Sequence, residues 1–279
     1  MIARAFKIVG FPAPKGRHVI TVDDFHKAYE KTVAVSGISF DVAEGEILGL
    51  VGPNGAGKTT TLKTLSCVIP PTRGRLTVHG YDVERDPVEV KRRIAYVPDD
   101  PQLFPDLTVN QHLAFTASAY GVKDADEKAA QLVDLFELAA RRATPARDLS
   151  RGMRQKLAIC CAYLHDPSAL LFDEPLTGLD PRGIRMLKKS IQLRADQGAA
   201  VIISSHLLAM VEDICTRVLI IDEGKKRFCG TLDELKVKFV SSEQAATLEE
   251  IFLLVTEENP NRKSDVRRQK SEISEERHA

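Results

Sequence analysis

The sequence predicts an α/β fold: a mainly parallel sheet with helices on both faces and a helical insertion in the middle of the chain. Three observations predict it. Short, continuously apolar runs recur at residues 46–51, 169–172, 200–204 and 218–221, as expected of strands covered on both faces. Helix-like stretches separate them. From about residue 103 to 164 the periodicity is helical. The 279 residues suit one large domain or two closely packed subdomains, and a content of 43% hydrophobic and 28% charged residues allows a sizeable core.

Each element follows from local signals. Residues 1–17, with Pro12, Pro14 and Gly16, read as a flexible leader, and short apolar strands begin at His18. The strand at 46–51 runs straight into a glycine-rich loop. Residues 59–68 then read as a helix with Leu62 and Leu65 on one face, ended by Pro70 and Pro71. Strand-like runs follow at 75–79 and 93–97. Thr108 with Gln111 three residues later forms a capping-box pattern, opening a helix with Leu113 and Phe115. Residues 126–142 read as one further helix, with Leu132, Leu135 and Leu138 at helical spacing. Ser150 is a good N-cap for a helix whose one face holds Met153, Leu157 and Leu164. From residue 257 the chain is rich in charge and Ser; it reads as a solvated, partly disordered tail, with a regulatory or lipid-headgroup contact as the alternative.

Composition narrows the function. The formal net charge is +0, which disfavours a nucleic-acid partner. No stretch approaches the roughly 20 apolar residues of a membrane span, and the N-terminus lacks the apolar core of a signal peptide. The expected location is the cytoplasm, with membrane contact through a partner. The five cysteines, Cys67, Cys160, Cys161, Cys215 and Cys229, show no Cys-x-x-Cys and read as reduced and structural. The seven histidines lack metal-ligand spacing, so no structural zinc is expected.

Two motifs carry chemistry. Gly52, Pro53, Asn54, Gly55, Ala56, Gly57, Lys58, Thr59 and Thr60 fit the phosphate-loop pattern. Glycines let successive backbone N–H groups point at phosphate oxygens, and the helix that follows offers its positive end to the same anion. Lys58 would reach the β- and γ-phosphates, and the Thr59 hydroxyl would ligate Mg²⁺. The second motif is an apolar strand ending in Asp173 and Glu174. Asp173 would hold Mg²⁺ and Glu174 would polarise an attacking water as general base.

Residues 149–156, Leu-Ser-Arg-Gly-Met-Arg-Gln-Lys, lie just before that strand and resemble the Leu-Ser-Gly-Gly-Gln signature of the ATP-binding cassette (ABC) family. With the other motifs in order, the resemblance spans roughly residues 19–235. It implies a P-loop NTPase core, about 18–98 and 167–235, that includes an antiparallel N-terminal β subdomain. It also implies a helical subdomain at about 99–166 and C-terminal helices at about 236–256. It implies that Tyr29 stacks on adenine, that Asp180 belongs to a loop facing the opposite subunit, and that His206 contacts the γ-phosphate. It further implies a head-to-tail pair of cassettes, each ATP lying between the phosphate loop of one and Ser150 and Gly152 of the other.

Three positions depart from the family pattern. Asp99 stands where a glutamine is usual; a carboxylate can approach Mg²⁺, but it is shorter and brings negative charge near the phosphates. Arg151 replaces the first glycine of the signature pair, and Met153 replaces its glutamine. The segment 104–109 and residues 248–252 resemble exporter-class bacterial subunits. The reading is therefore the ATP-hydrolysing subunit of a membrane transporter, using ATP and Mg²⁺, with a transmembrane permease and a second cassette as partners. Two alternatives stand: a non-transport ABC protein acting on ribosomes or DNA, and a nucleotide-binding regulator that no longer hydrolyses ATP.

Overall fold

The computed structural model describes residues 18–206, 208–239 and 248–257. The expected leader at 1–17 and the tail beyond 257 lie outside the described residues. The chain opens with two long antiparallel strands, β1 (His18–Tyr29) and β2 (Thr32–Ala43), paired so that Tyr29 faces Thr32 across the turn. Then come β3 (Ile47–Val51), α1 (Lys58–Leu65), β4 (Arg73–Val78), β5 (Tyr81–Asp82), α2 (Pro87–Lys91) and β6 (Ile94–Val97). The helical stretch holds α3 (Val109–Tyr120), α4 (Ala125–Leu135) and α5 (Arg151–Leu164). The chain returns through β7 (Ala169–Asp173), α6 (Pro181–Asp196), β8 (Ala200–Ser204), α7 (Leu208–Ile214), β9 (Arg217–Asp222) and β10 (Lys225–Thr231). It reaches α8 (Leu232–Phe239) and α9 (Leu248–Glu257) last.

The strands form two sheets. One is antiparallel, in the order β2-β1-β4-β5; the other has the order β10-β9-β3-β8-β7-β6. Within the second sheet β9, β3, β8, β7 and β6 run parallel, and β10 pairs antiparallel with β9 at one edge. The expected mainly parallel α/β core is therefore present, beside an antiparallel N-terminal sheet.

The apolar runs are continuous because this sheet is buried on both faces. Leu48, Leu50, Leu171, Ile202, Leu219 and Ile221 pack with the antiparallel sheet and with Leu62 and Leu65 of α1. The alternate residues Ile47, Val51, Leu170, Phe172, Val201 and Ile203 pack with the helices on the other side. Successive strand side chains point to opposite faces, so a strand with two covered faces has no polar position to spare.

Two helix ends differ from expectation for one reason. The helix expected over 59–68 stops at Leu65, five residues before Pro70. Cys67 takes φ 55, its amide donates to Thr64 O at 3.1 Å, and the Val68 amide reaches back to Lys63 O at 2.9 Å. The helix expected over 126–142 likewise stops at Leu135. Glu137 takes φ 59, and Leu138 N donates to Val133 O at 2.8 Å. Both ends are Schellman turns with a non-glycine residue in the left-handed conformation, which leaves no glycine to mark them in the sequence. Leu138 reaches the core, but through the turn; residues Ala139–Arg141 form a separate 3₁₀ turn. The Thr108 cap is as read: Gln111 N donates to Thr108 Oγ1 at 3.2 Å and Thr108 N to Gln111 Oε1 at 2.8 Å.

Leu171 is fully buried between the sheets. Leu171→Ala is expected to cost about 2–5 kcal/mol of stability, measured by urea unfolding, through lost burial plus the cavity left behind. Thr108→Ala, which breaks only a cap, is expected to cost about 0.5–2 kcal/mol in the same measurement.

Candidate functional site

Parallel pairing brings the carboxyl ends of four strands to one edge. Leu50 pairs with Ser204, Asp173 with Ser204, and Val97 with Phe172. The loops that follow these strands carry residues 52–57, Asp99, Glu174 and His206, so groups far apart in sequence share one edge of the sheet.

The loop after β3 is held by glycines at two close approaches. A Cβ on Gly52 would collide with the Ile221 carbonyl, and one on Gly57, at φ +104, would lie 2.6 Å from the Ala34 carbonyl. Asn54 and Gly55 are exposed at the loop tip. Helix α1 starts at Lys58 with Gly57 as N-cap and no side chain capping it, so the first-turn N–H groups are left to a ligand or water. The Lys58 side chain is 7% exposed, and its Nζ donates to Gly52 O at 2.7 Å and Pro53 O at 3.2 Å. Burial lowers the Lys58 pKa, while Glu174 and Asp173 work against that shift. A glycine-lined loop, an uncapped helix start and a buried cation beneath them fit a polyphosphate. Thr59 is exposed and Thr60 half-buried beside this loop.

Asp173, at the end of β7, is 3% exposed. Ser204 Oγ donates to its Oδ1 at 2.5 Å and Tyr96 OH to its Oδ2 at 3.2 Å. Glu174 sits at φ 49, and its amide donates to the Ser204 carbonyl at 3.1 Å. That turn aims its carboxylate at His206, whose amide and Nδ1 approach Glu174 Oε2 at 3.2 and 2.7 Å. With Glu174 ionised, Nδ1 is the protonated nitrogen. His206 thus contacts Glu174, and Glu174 and Asp173 both act on the Lys58 charge. Ser204 and Tyr96 were missed. Their only sequence signal is position: Ser204 two residues before His206, and Tyr96 near the end of a strand-like run.

The remaining residues sit around this centre. Tyr29 ends β1 with its ring 48% exposed, and Lys27 Nζ lies 5.2 Å from the ring centroid. Ser150 caps α5, accepting from Met153 N at 3.3 Å, and is itself exposed. Gly152 abuts the loop before α6: a Cβ there would lie 2.5 Å from the Gly178 carbonyl. Asp180 caps α6 by accepting from Gly183 N at 3.0 Å and is exposed. Asp99 is placed differently from the carboxylate at the end of β7. Its Oδ1 accepts from Arg151 Nη2 at 3.2 Å, so the carboxylate expected beside the metal is engaged by the start of α5.

Comparison with known proteins gives the family and the fold. The family model described as ABC transporter matches residues 35–177. The chain is 35% identical over 219 residues to the linearmycin resistance ATP-binding protein LnrL of Bacillus subtilis (strain 168), covering 78% of this chain and 70% of the relative. It is 32% identical over 243 residues to the ABC-type transporter ATP-binding protein EcsA of the same organism, covering 86% and 98%. A solved ATP-binding subunit of an ABC transporter superposes with a TM-score of 0.81 at 33% identity, over 85% of this chain and 99% of that one.

Gly52→Ala is expected to displace the loop at its root, because the added Cβ meets the Ile221 backbone rather than a movable side chain. Calorimetric titration should show ATP affinity reduced at least about tenfold, or about 1.4 kcal/mol.

Proposed function

This chain belongs to the ABC transporter family, and from that premise we propose that it is the ATP-binding, ATP-hydrolysing subunit of a membrane transporter, paired with a second cassette and seated on a separate permease. The observation that carries the reading is the convergence of Lys58, Asp173, Glu174 and His206 on the edge that holds the 52–57 loop.

Each residue then has a task. Lys58 exchanges the carbonyls of Gly52 and Pro53 for β- and γ-phosphate oxygens. The Thr59 hydroxyl and the Asp173 carboxylate are hard oxygen donors of the kind Mg²⁺ takes, and the ion when bound would neutralise phosphate charge. Ser204 and Tyr96 orient Asp173 for that role. His206 holds Glu174 by Oε2, which leaves Oε1 to accept the proton of the attacking water. The exposed Ser150 and Asp180, with Gly152, offer a surface to the nucleotide and loops of a second cassette, and the exposed Tyr29 ring offers a stacking face to adenine.

Residues 99–166 supply the permease surface in this reading. A groove of about 450 Å³ runs between them and the core, lined in part by Val68, Tyr96, Gln102, Tyr120 and His165. Tyr120 stacks on His165 at 3.9 Å, and burial pulls the His165 pKa down to about 4, so that ring is uncharged at neutral pH and Lys91 is the charged residue of the lining. Beside it Phe104 and Phe115 pack edge to face at 5.4 Å, yet both are more than half exposed. An exposed aromatic patch of this kind suits an apolar segment of the permease. Among the described residues no helix is long and apolar enough to cross a membrane; the seat proposed on the permease is peripheral, on the cytoplasmic face. The relative whose name speaks of resistance supports export as the direction.

Glu174→Gln is expected to lower ATP hydrolysis by about 10²- to 10⁴-fold, while ATP still binds and a dimer accumulates in size-exclusion chromatography. Turnover near the unsubstituted rate would sink the general-base assignment, and Lys58→Ala serves as the control that loses nucleotide. Phe115→Asp with Tyr120→Asp is expected to abolish co-purification with membranes carrying the permease, with ATP binding by the isolated subunit retained. Retention on those membranes would rule out the groove.

A further inference from the structure

Arg151, the first residue of α5, ties two loops to the start of its own helix. Its Nη2 donates to Asp99 Oδ1 at 3.2 Å, reaching the loop after β6. Its stem packs on the loop before α6. There Gly178, at φ +79, has no side chain, and a Cβ would come within 3.1 Å of Arg151 Cγ and Cδ. A weaker strap runs parallel to it, from Gln155 Nε2 to Pro98 O at 3.5 Å. The charge of Asp99 also reaches the catalytic edge. The Tyr96 hydroxyl has its pKa raised first by burial, then by Asp173, and also by Asp99.

The two residues that face each other here are two of the three that break the family pattern. An acid on this loop is a hard oxygen donor of the kind Mg²⁺ takes, and an arginine in place of glycine brings a cation to the start of α5. Paired, the acid is neutralised and the arginine is seated. The pairing also has a consequence for binding. A contact that must open for a ligand to bind weakens apparent affinity by the factor with which it favours the closed arrangement.

We propose that Arg151 is a positioning residue whose ion pair with Asp99 clasps the loop after β6 to the start of α5 and competes with Mg·ATP for the Asp99 carboxylate. The proposal rests on the reading that residues 52–60 bind Mg·ATP. Both side chains are about half exposed, 49% and 47%, so the clasp is weak and reversible. A pair of this exposure shifts an equilibrium by about 1.4- to 5-fold.

The test is the Mg·ATP concentration giving half-maximal hydrolysis (KM), read separately from kcat, in the full chain. Alanine suits a helix start, so Arg151→Ala is expected to fold; circular dichroism checks this, and Arg151→Lys keeps the charge. Arg151→Ala is expected to lower KM by about two- to fivefold with kcat little changed, and Arg151→Lys to stay near the unsubstituted value. In an Asp99→Asn background Arg151→Ala should no longer move KM. Raising salt from about 50 to 300 mM should bring the unsubstituted KM toward that of Arg151→Ala, because the pair is screened. KM unmoved or raised by Arg151→Ala, or the same change in both backgrounds, overturns the clasp. Failure of the unsubstituted protein to bind ATP overturns the underlying reading instead, and the two failures are distinguished by that control.

Discussion

A buried ammonium must be neutralised or bonded on every side, and Lys58, 7% exposed beneath the 52–57 loop, sets this condition for the whole edge of the sheet. The carbonyls of Gly52 and Pro53 bond it directly, which is possible only if the loop curls back over the start of α1. That curl needs Gly52 against the Ile221 carbonyl and Gly57 against the Ala34 carbonyl. The fields of Glu174 and Asp173 complete the compensation. The same carboxylates that steady the lysine are those to which the proposed function gives the metal and the water.

Those carboxylates are themselves constrained. Asp173 has both oxygens bonded, to Ser204 and Tyr96, and Glu174 is turned by a left-handed backbone toward His206. Parallel pairing of β6, β7 and β8 makes these contacts possible, because it delivers their carboxyl ends side by side. A buried acid fully engaged by neutral donors keeps its position while a ligand comes and goes.

The helices joined to this edge are held by a few charged contacts in addition to apolar packing. Glu137, in the turn that ends α4, accepts from Arg182 at the start of α6 and lies 3.7 Å from Lys156 of α5. Asp166 joins Lys128 of α4 to Arg194 of α6. Arg151 with Asp99 adds a third link, nearest the catalytic edge. The exposed pairs among them, such as Arg151 with Asp99, each contribute about 0–1 kcal/mol. They therefore guide how the helices sit against the core, while the continuous apolar cluster from β7 to α5 holds them there.

By itself the sequence determined the fold class, the phosphate loop, the carboxylate pair and the helix caps at Thr108 and Ser150. These are written in residues close together in the chain: an apolar run followed by glycines, two acids after a strand, a hydroxyl before a helical period. It misplaced the ends of α1 and α4, where Cys67 and Glu137 adopt a conformation that glycine would have advertised. Only the tertiary structure decided that Ser204 and Tyr96 hold Asp173, that His206 holds Glu174, and that Asp99 faces Arg151. The residues in those contacts lie 31, 77, 32 and 52 positions apart. Pattern rules see a turn or two of chain, and such pairings exist only once parallel strands have brought their ends to one edge.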